Sequence, residues 1–383
     1  MPKVIVFGNT LVNTLGLIRS IGESGLHVDL LVEPCSRNHC FVHHSKYVRR
    51  TFFLTTMDEA LEVLRREYWT EVEKPVILCG SDPSICLLDA HYDELKDHFA
   101  IFNANGEQGR INYFMDKSNQ FPIAEQCGLN LIKTWRVTDI THLPVGISYP
   151  CLIKGNNSTR STKGDMFICQ NEQELHANLH EGVEYLIQEY IEKDFELDIV
   201  GFSMHHGNDI YVPAVVRKIR DTIRRQSVYI RLDDIAVYPN LGVEWIKSFI
   251  NEIGYEGIFS IEVICRKEKY YFLEMNLRND ACGYLYTAAG INYPLLWVLC
   301  NGGKTLRDLK LSFTGKTPLY LMHENDLYNL WEGKVSLFCW LRDFWRSGAF
   351  FVLNWRDPLP FAASTWIHFR QACKKVLRLI TKA

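Results

Sequence analysis

Two acidic residues lie inside apolar runs, where a charge is costly. In the stretch GIFSIEVICRKEKYYFLEMNLRND they are Glu262 and Glu274. A carboxylate among Ile, Val and Phe destabilises a strand unless it is paired or binds a cation. The stretch reads as two strands, 258–265 and 270–276, joined by a short charged turn. A three-residue loop, Lys267-Glu268-Lys269, pairs Arg266 with Tyr270 and sets Glu262 directly opposite Glu274, with Cβ atoms roughly 5 Å apart. A four-residue loop puts them on opposite faces instead. Asn276 follows Glu274 by two residues and shares its face. Two carboxylates and an amide oxygen on one wall make a hard-oxygen site, suited to magnesium with nucleotide phosphates. Arg278, two residues further on, suits a phosphate or a carboxylate. The alternative is an amphipathic hairpin with both acids in water.

The cations are more dispersed. Asp116-Lys117 opens a helix read over 115–127. Lys154 ends an apolar strand, 150–154, just before the polar run Gly155-Asn-Asn-Ser-Thr-Arg-Ser-Thr-Lys-Gly164. Backbone N–H groups of such a loop and the lysine ammonium both favour an anion. The loop offers Ser161 among its hydroxyl donors, and a closing loop of this kind excludes water from a nucleotide. An ordinary solvated hairpin loop is the competing reading. The run from Val216 to Arg225 carries five basic residues. Arg217 and Lys218, at the end of an apolar strand, are candidates for holding an acidic substrate; Arg224 and Arg225 fit a solvated turn equally well.

Elements must position these groups. Val4–Phe7 is a short buried strand, Leu11–Gly22 carries apolar residues at helical spacing, and Val28–Val32 is a second strand. Strand–helix–strand order argues for a parallel, doubly wound layer over residues 1–110. No G-x-G-x-x-G run follows the first strand, so this layer reads as Rossmann-like without a tight nucleotide site. Residues 111–310 form a second block of strands and helices, with lobes of about 111–185 and 186–310. Residues 311–383 are an aromatic, basic extension.

The chain has 383 residues, 42 Lys+Arg against 45 Asp+Glu, and a net charge of −3. That balance excludes a uniformly basic nucleic-acid binder. The twelve cysteines form no C-x-x-C pair, so zinc ribbons and thioredoxin-like motifs have no support. Scattered cysteines in apolar runs read as reduced thiols of a cytoplasmic protein. No signal peptide or spanning helix is read from the sequence. Charge is unevenly placed: residues 331–383 hold nine Lys+Arg and three Asp+Glu, a net of +6 that leaves −9 for the other 330. The same 53 residues contain five of the nine Trp. The helix WIHFRQACKKVLRLITKA either lies on an anionic membrane surface or packs on the protein with its charges in water.

The order of these features resembles the ATP-grasp superfamily. The residues that carry the resemblance are Asp116-Lys117, Lys154 with its polar loop, Gln188-Glu189-Tyr190-Ile191, Glu196, Glu262 and Glu274-Met275-Asn276-Leu277-Arg278. The stretch SDPSICLLDAHYDEL in the first block is similar to that of D-aspartate ligase-like carboxylate–amine ligases. The resemblance implies a Rossmann-like pre-ATP-grasp domain followed by a two-lobed ATP-grasp domain. It implies that Lys117, Lys154 and Ser161 contact the ATP phosphates, that Glu189, Tyr190 and Ile191 line the adenine hinge, and that Glu196 takes the ribose. Glu262, Glu274 and Asn276 would bind Mg²⁺, and Arg278 would face the γ-phosphate or an acyl phosphate. The implied activity joins a small carboxylate, such as an amino acid or sugar acid, to an amine through that acyl phosphate, in cell-envelope or polysaccharide modification. Competing expectations are an ATP-grasp phosphotransferase or carboxylase, and an inactive nucleotide-binding protein at a membrane. Two departures stand out: the loop has Gly only at its ends, and Leu277 stands where Pro is common.

Overall fold

The computed structural model describes residues 1–156, 166–222, 226–309 and 317–380, with side chains to Lys374. Ser161, most of the loop from 155 to 164, and Arg224 and Arg225 therefore lie outside the described residues. The chain divides into two compact units, Met1–Leu87 with Glu94–Ile101 and Asn279–Ala383, and Leu88–Asp93 with Phe102–Arg278.

The first unit opens on four strands, β1 (Val4–Gly8), β2 (Val28–Val32), β3 (Val48–Phe53) and β4 (Val76–Cys79). They form a parallel sheet in the order β3-β2-β1-β4. The runs VIVF, VDLLV and VILC are buried on both faces, as central parallel strands must be. Helices Val12–Gly22 and Glu59–Tyr68 connect them. The doubly wound layer expected from the strand–helix–strand order is thus present.

The second unit holds β5 (Asn103–Ala104), β6 (Asn130–Leu131), β7 (Thr134–Val137), β8 (Cys151–Gly155), β9 (Phe167–Cys169), β10 (Tyr185–Glu189), β11 (Phe195–Met204), β12 (Asp209–Asp221), β13 (Ser227–Asp233), β14 (Tyr255–Arg266) and β15 (Lys269–Asn276). A small antiparallel sheet runs β7-β10-β8-β9 and closes over its own core, including Ile153, Cys169, Leu175 and Ile187. The larger sheet of this unit runs β13-β12-β11-β14-β15-β6, antiparallel except for the β15–β6 pair. The amphipathic helix Glu244–Ile253 buries Ile246, Phe249, Ile250 and Ile253, and it ends on Gly254 in the left-handed region (φ 71°). That conformation suits glycine at a helix C-terminus.

The expected helix over 115–127 is broken. Arg110–Met115 is helical, Lys117–Asn119 is a single 3₁₀ turn, and Phe121–Gln126 is a second short helix. Asp116 causes the break by accepting from the Ser118 N–H at 3.0 Å, and Pro122 starts a new helix because its missing N–H costs nothing there. The chain returns to the first unit through helices Gly283–Ala288 and Tyr293–Asn301, then β16 (Leu319–Met322), helix Leu337–Arg346, β17 (Ser347–Phe350) and helix Leu359–Ile380. β16 and β17 pair in parallel.

Candidate functional site

The β14–β15 hairpin brings the two acids together by a different route from the one expected. Its loop is two residues, not three: Arg266 pairs with Lys269, and Lys267 and Glu268 both have positive φ (49° and 61°). That turn fits the right-handed strand twist, but alone it would put Glu262 opposite Leu273. An irregularity in the ladder between Glu262 and Val263 absorbs the extra residue, so Val263 faces Phe272 while Glu262 faces Glu274. The bulge re-aims a side chain, as bulges near sites do. Asn276 stands opposite Ser260 and its Nδ2 donates to Glu262 Oε1 at 3.4 Å. An Arg278 N–H donates to Asn276 Oδ1 at 3.4 Å.

Both lysines from the other parts of this unit reach Glu274. Lys117, presented by its 3₁₀ turn, places Nζ 2.6 Å from Glu274 Oε2. Lys154, from β8 of the small sheet, places Nζ 4.0 Å from the same oxygen. Lys154 is buried. Burial pushes its pKa down to about 8; the Glu274 carboxylate opposes this and the Lys117 ammonium adds to it.

Lys218 of β12 sits among three carboxylates. It is bonded to Glu196, and its Nζ lies 3.0 Å from Asp198 Oδ1 and 3.0 Å from Glu262 Oε2. Burial disfavours its charge, but Asp198, Glu196 and Glu262 outweigh that and hold the ammonium well above its ordinary range. Glu196 is in turn held below the usual carboxylate range: burial would raise it, and Lys218 and Lys193 overcome the rise. Four carboxylates, Glu196, Asp198, Glu262 and Glu274, thus share one wall with Lys117, Lys154, Lys218 and Arg278. Asp198 escaped the sequence reading. It follows Glu196 by two residues in an apolar strand, the same spacing that marked Asn276.

Arg217 does not join this group. Consecutive strand residues face opposite sides of a sheet, and the Arg217 guanidinium lies over the Phe195 ring, 4.4 Å from its centroid. Glu189 ends β10 and Tyr190 follows it, both exposed, with Ile191 half-buried. The Glu189 N–H donates to Lys133 O at 2.9 Å and that of Tyr190 to Pro150 O at 3.1 Å. Those two donors are therefore used inside the fold.

The donor set fits the groups implied for it. Glu262, Glu274 and Asn276 offer hard oxygens, and a positive charge already lies against each carboxylate, which is the environment a divalent cation would provide. One carboxylate oxygen from each of Glu196, Asp198 and Glu262 also lies within 4.8 Å of the others, with the Lys218 ammonium in contact with all three residues. A buried ammonium 4.0 Å from its counter-charge suits an anion such as a phosphate.

This architecture and this wall of lysines and carboxylates coincide over part of the chain with a known domain family. The model of the ATP-grasp domain matches residues 122–293. Among curated proteins the chain is similar to the arginine-specific large chain of carbamoyl phosphate synthase from Halalkalibacterium halodurans, 26% identical over 193 residues. The match covers 45% of this chain, and the chain spans 17% of the length of that relative. Among solved structures it is similar in fold to the L-amino acid ligase of Bacillus licheniformis (TM-score 0.64, 16% identity, 82% of this chain and 77% of that one). It is also similar to the N5-carboxyaminoimidazole synthetase of Staphylococcus aureus (TM-score 0.63, 13% identity, 87% and 86%). The biotin carboxylase of Campylobacter jejuni gives a TM-score of 0.60 at 16% identity, over 80% and 72%.

Proposed function

We propose that the protein is an ATP-dependent carboxylate–amine ligase working in the cytoplasm on small molecules. The observation that carries this reading is the convergence of Lys154, Lys117 and Arg278 on the Glu262–Glu274–Asn276 wall. Lys117 and Lys154 hold the phosphates of ATP, Glu196 the ribose, and the segment Glu189–Ile191 the base. Glu262, Glu274 and Asn276 hold Mg²⁺, which supplies neutralisation of phosphate charge when bound. Arg278, tied to Asn276, faces the transferring phosphoryl group. Lys218 keeps Glu196, Asp198 and Glu262 in place, a positioning role that replaces direct contact with substrate. In phosphoryl transfer the protein's part is chiefly positioning and charge stabilisation.

In the first step a substrate carboxylate oxygen bonds to the γ-phosphorus and the bond to the β-bridging oxygen breaks, giving an acyl phosphate and ADP. In the second, the amine nitrogen bonds to the acyl carbon, inorganic phosphate leaves, and the nitrogen loses a proton. The acyl-phosphate course, the acid and the amine are parts of this proposal, with an amino acid or sugar acid as the carboxylate.

The test is ADP release measured against a panel of amino and sugar acids combined with amines. At least one acid–amine pair raises release above the ATP-only rate, chelation of magnesium stops it, and Glu274→Gln lowers kcat about 100-fold. A panel in which no pair raises ADP release sinks the ligase reading; a product equal to substrate plus phosphate assigns phosphotransfer instead.

A further inference from the structure

Eleven of the twenty-one exposed large hydrophobic side chains among the described residues fall between Leu327 and Phe369. Their arrangement is regular. In helix Leu337–Arg346, capped by the Ser336 hydroxyl, the inner side is marked by Trp340 and Phe344, half-buried and stacked at 5.5 Å. Phe344 also meets Phe350 of β17 at 4.9 Å. Phe338, Leu341 and Trp345 follow at i, i+3 and i+7 and form the other face, with Phe338 78% and Trp345 81% exposed. Helix Leu359–Ile380 repeats the device. Trp366 and Phe369 stack at 5.8 Å and are 59% and 58% exposed. Arg370 and Lys374 are exposed one turn and two turns beyond Trp366, beside that aromatic pair.

A monomeric protein rarely leaves so much apolar surface in water without a use for it. The charge identifies the occupant. Residues 331–383 carry a net +6, so a second copy would bring the same positive charge against itself. A soluble anion would satisfy the charges and leave the aromatic rows in water. An anionic bilayer surface satisfies both: apolar faces enter the acyl boundary, tryptophan and arginine sit at headgroup level, and lysine stems extend to the phosphates. No described helix is long and apolar enough to cross a membrane, so the contact is with the surface. We propose that the helices Leu337–Arg346 and Leu359–Ile380 form a peripheral docking face for anionic phospholipid. The inference is independent of the ligase reading.

The experiment is flotation of the full chain with vesicles of phosphatidylcholine, and of phosphatidylcholine mixed with phosphatidylglycerol. The protein floats with the mixed vesicles only, its tryptophan emission shifts to the blue, and added salt releases it. Arg370→Gln with Lys374→Gln weakens binding about fivefold per charge removed. Phe338→Ser with Trp345→Ser abolishes it, while the melting temperature and the far-ultraviolet circular dichroism in solution stay unchanged. Absence of flotation on the mixed vesicles, or equal flotation on neutral ones, overturns the proposal. So does a dimer in sedimentation equilibrium that the Phe338 and Trp345 substitutions dissolve, which would assign the face to a second copy.

Discussion

At Lys154 Nζ, burial takes water away from an ammonium, and its pKa falls from 10.5 to about 8. In the free protein the charged form is therefore lost as pH rises through 8. Phosphate oxygens beside the nitrogen favour the charged form and raise the pKa again. Nucleotide binding at pH 8 must then take up a fraction of a proton. Calorimetry of Mg·ATP binding in Tris and in HEPES will give different apparent enthalpies for the wild type. Lys154→Arg, which stays charged at any such pH, will give matching ones. Equal enthalpies for the wild type would remove Lys154 from the phosphate site. Much at this scale was legible in the chain. Glu262, Glu274 and Asn276 stood out as polar residues in apolar strands, and the structure groups them. Asp198 is as polar and more deeply buried, but two residues from Glu196 in one apolar strand nothing in its sequence context separates it from a single paired acid. Arg217 and Lys218 were read together because both end an apolar strand. Strand alternation allows only one of them onto the site face, and the carboxylates on β11 and β14 select Lys218.

The hairpin shows what an element adds to a residue pattern. The facing of Glu262 and Glu274 is one of two arrangements open to the sequence, and there it rests on a loop one residue too long. Two deviations cancel: a shorter turn and a bulge near Leu273. No composition rule reveals such a pair, because Lys267 and Glu268 are poor residues for positive φ. Strands β7, β9 and β13 were missed for a related reason: each is short or interrupted by polar residues, and only its neighbours hold it extended. The turn makes a prediction. Two side chains in the left-handed region cost about 1–2 kcal/mol each, and Asn-Gly adopts the same turn with little strain. The backbone N–H of residue 267, which donates to Asp194 at 2.7 Å, is kept. The exposed contact between Asn240 and Glu268, worth a few tenths of a kcal/mol, and the solvent-screened attraction of the Lys267 ammonium for Asp194 are lost. Lys267→Asn with Glu268→Gly should stabilise the hairpin by ~1 kcal/mol, seen as slower amide exchange across β14 and β15. Unchanged or faster exchange would show that the turn stores no strain.

On the scale of the whole molecule, sequence order groups residues 1–110, 111–310 and 311–383, whereas compactness joins the first and last stretches in one unit. A single ion pair shows why. Arg19 of the first helix is fully buried and donates to Asp357 Oδ2 at 3.1 Å, with further bonds to the carbonyls of Phe351, Val352 and Asp357. Asp357 in turn accepts from the Ser45 hydroxyl at 2.8 Å and the Lys46 N–H at 2.9 Å. Residues more than three hundred positions apart thus complete one another's hydrogen bonding. Nothing local to either stretch announces it, since an arginine in the polar stripe of a helix and an aspartate before a proline both read as surface residues. Removing one partner of a buried pair leaves an uncompensated charge, at a cost of about 3–5 kcal/mol. Asp357→Ala should therefore lower the melting temperature of the Rossmann-like unit by several degrees, in a calorimetric scan of the full chain. Arg19→Met with Asp357→Leu, which removes both charges together, should recover much of the loss, because the penalty comes from the orphaned partner. If Asp357→Ala melts with the wild type, the C-terminal stretch is not a structural part of that unit.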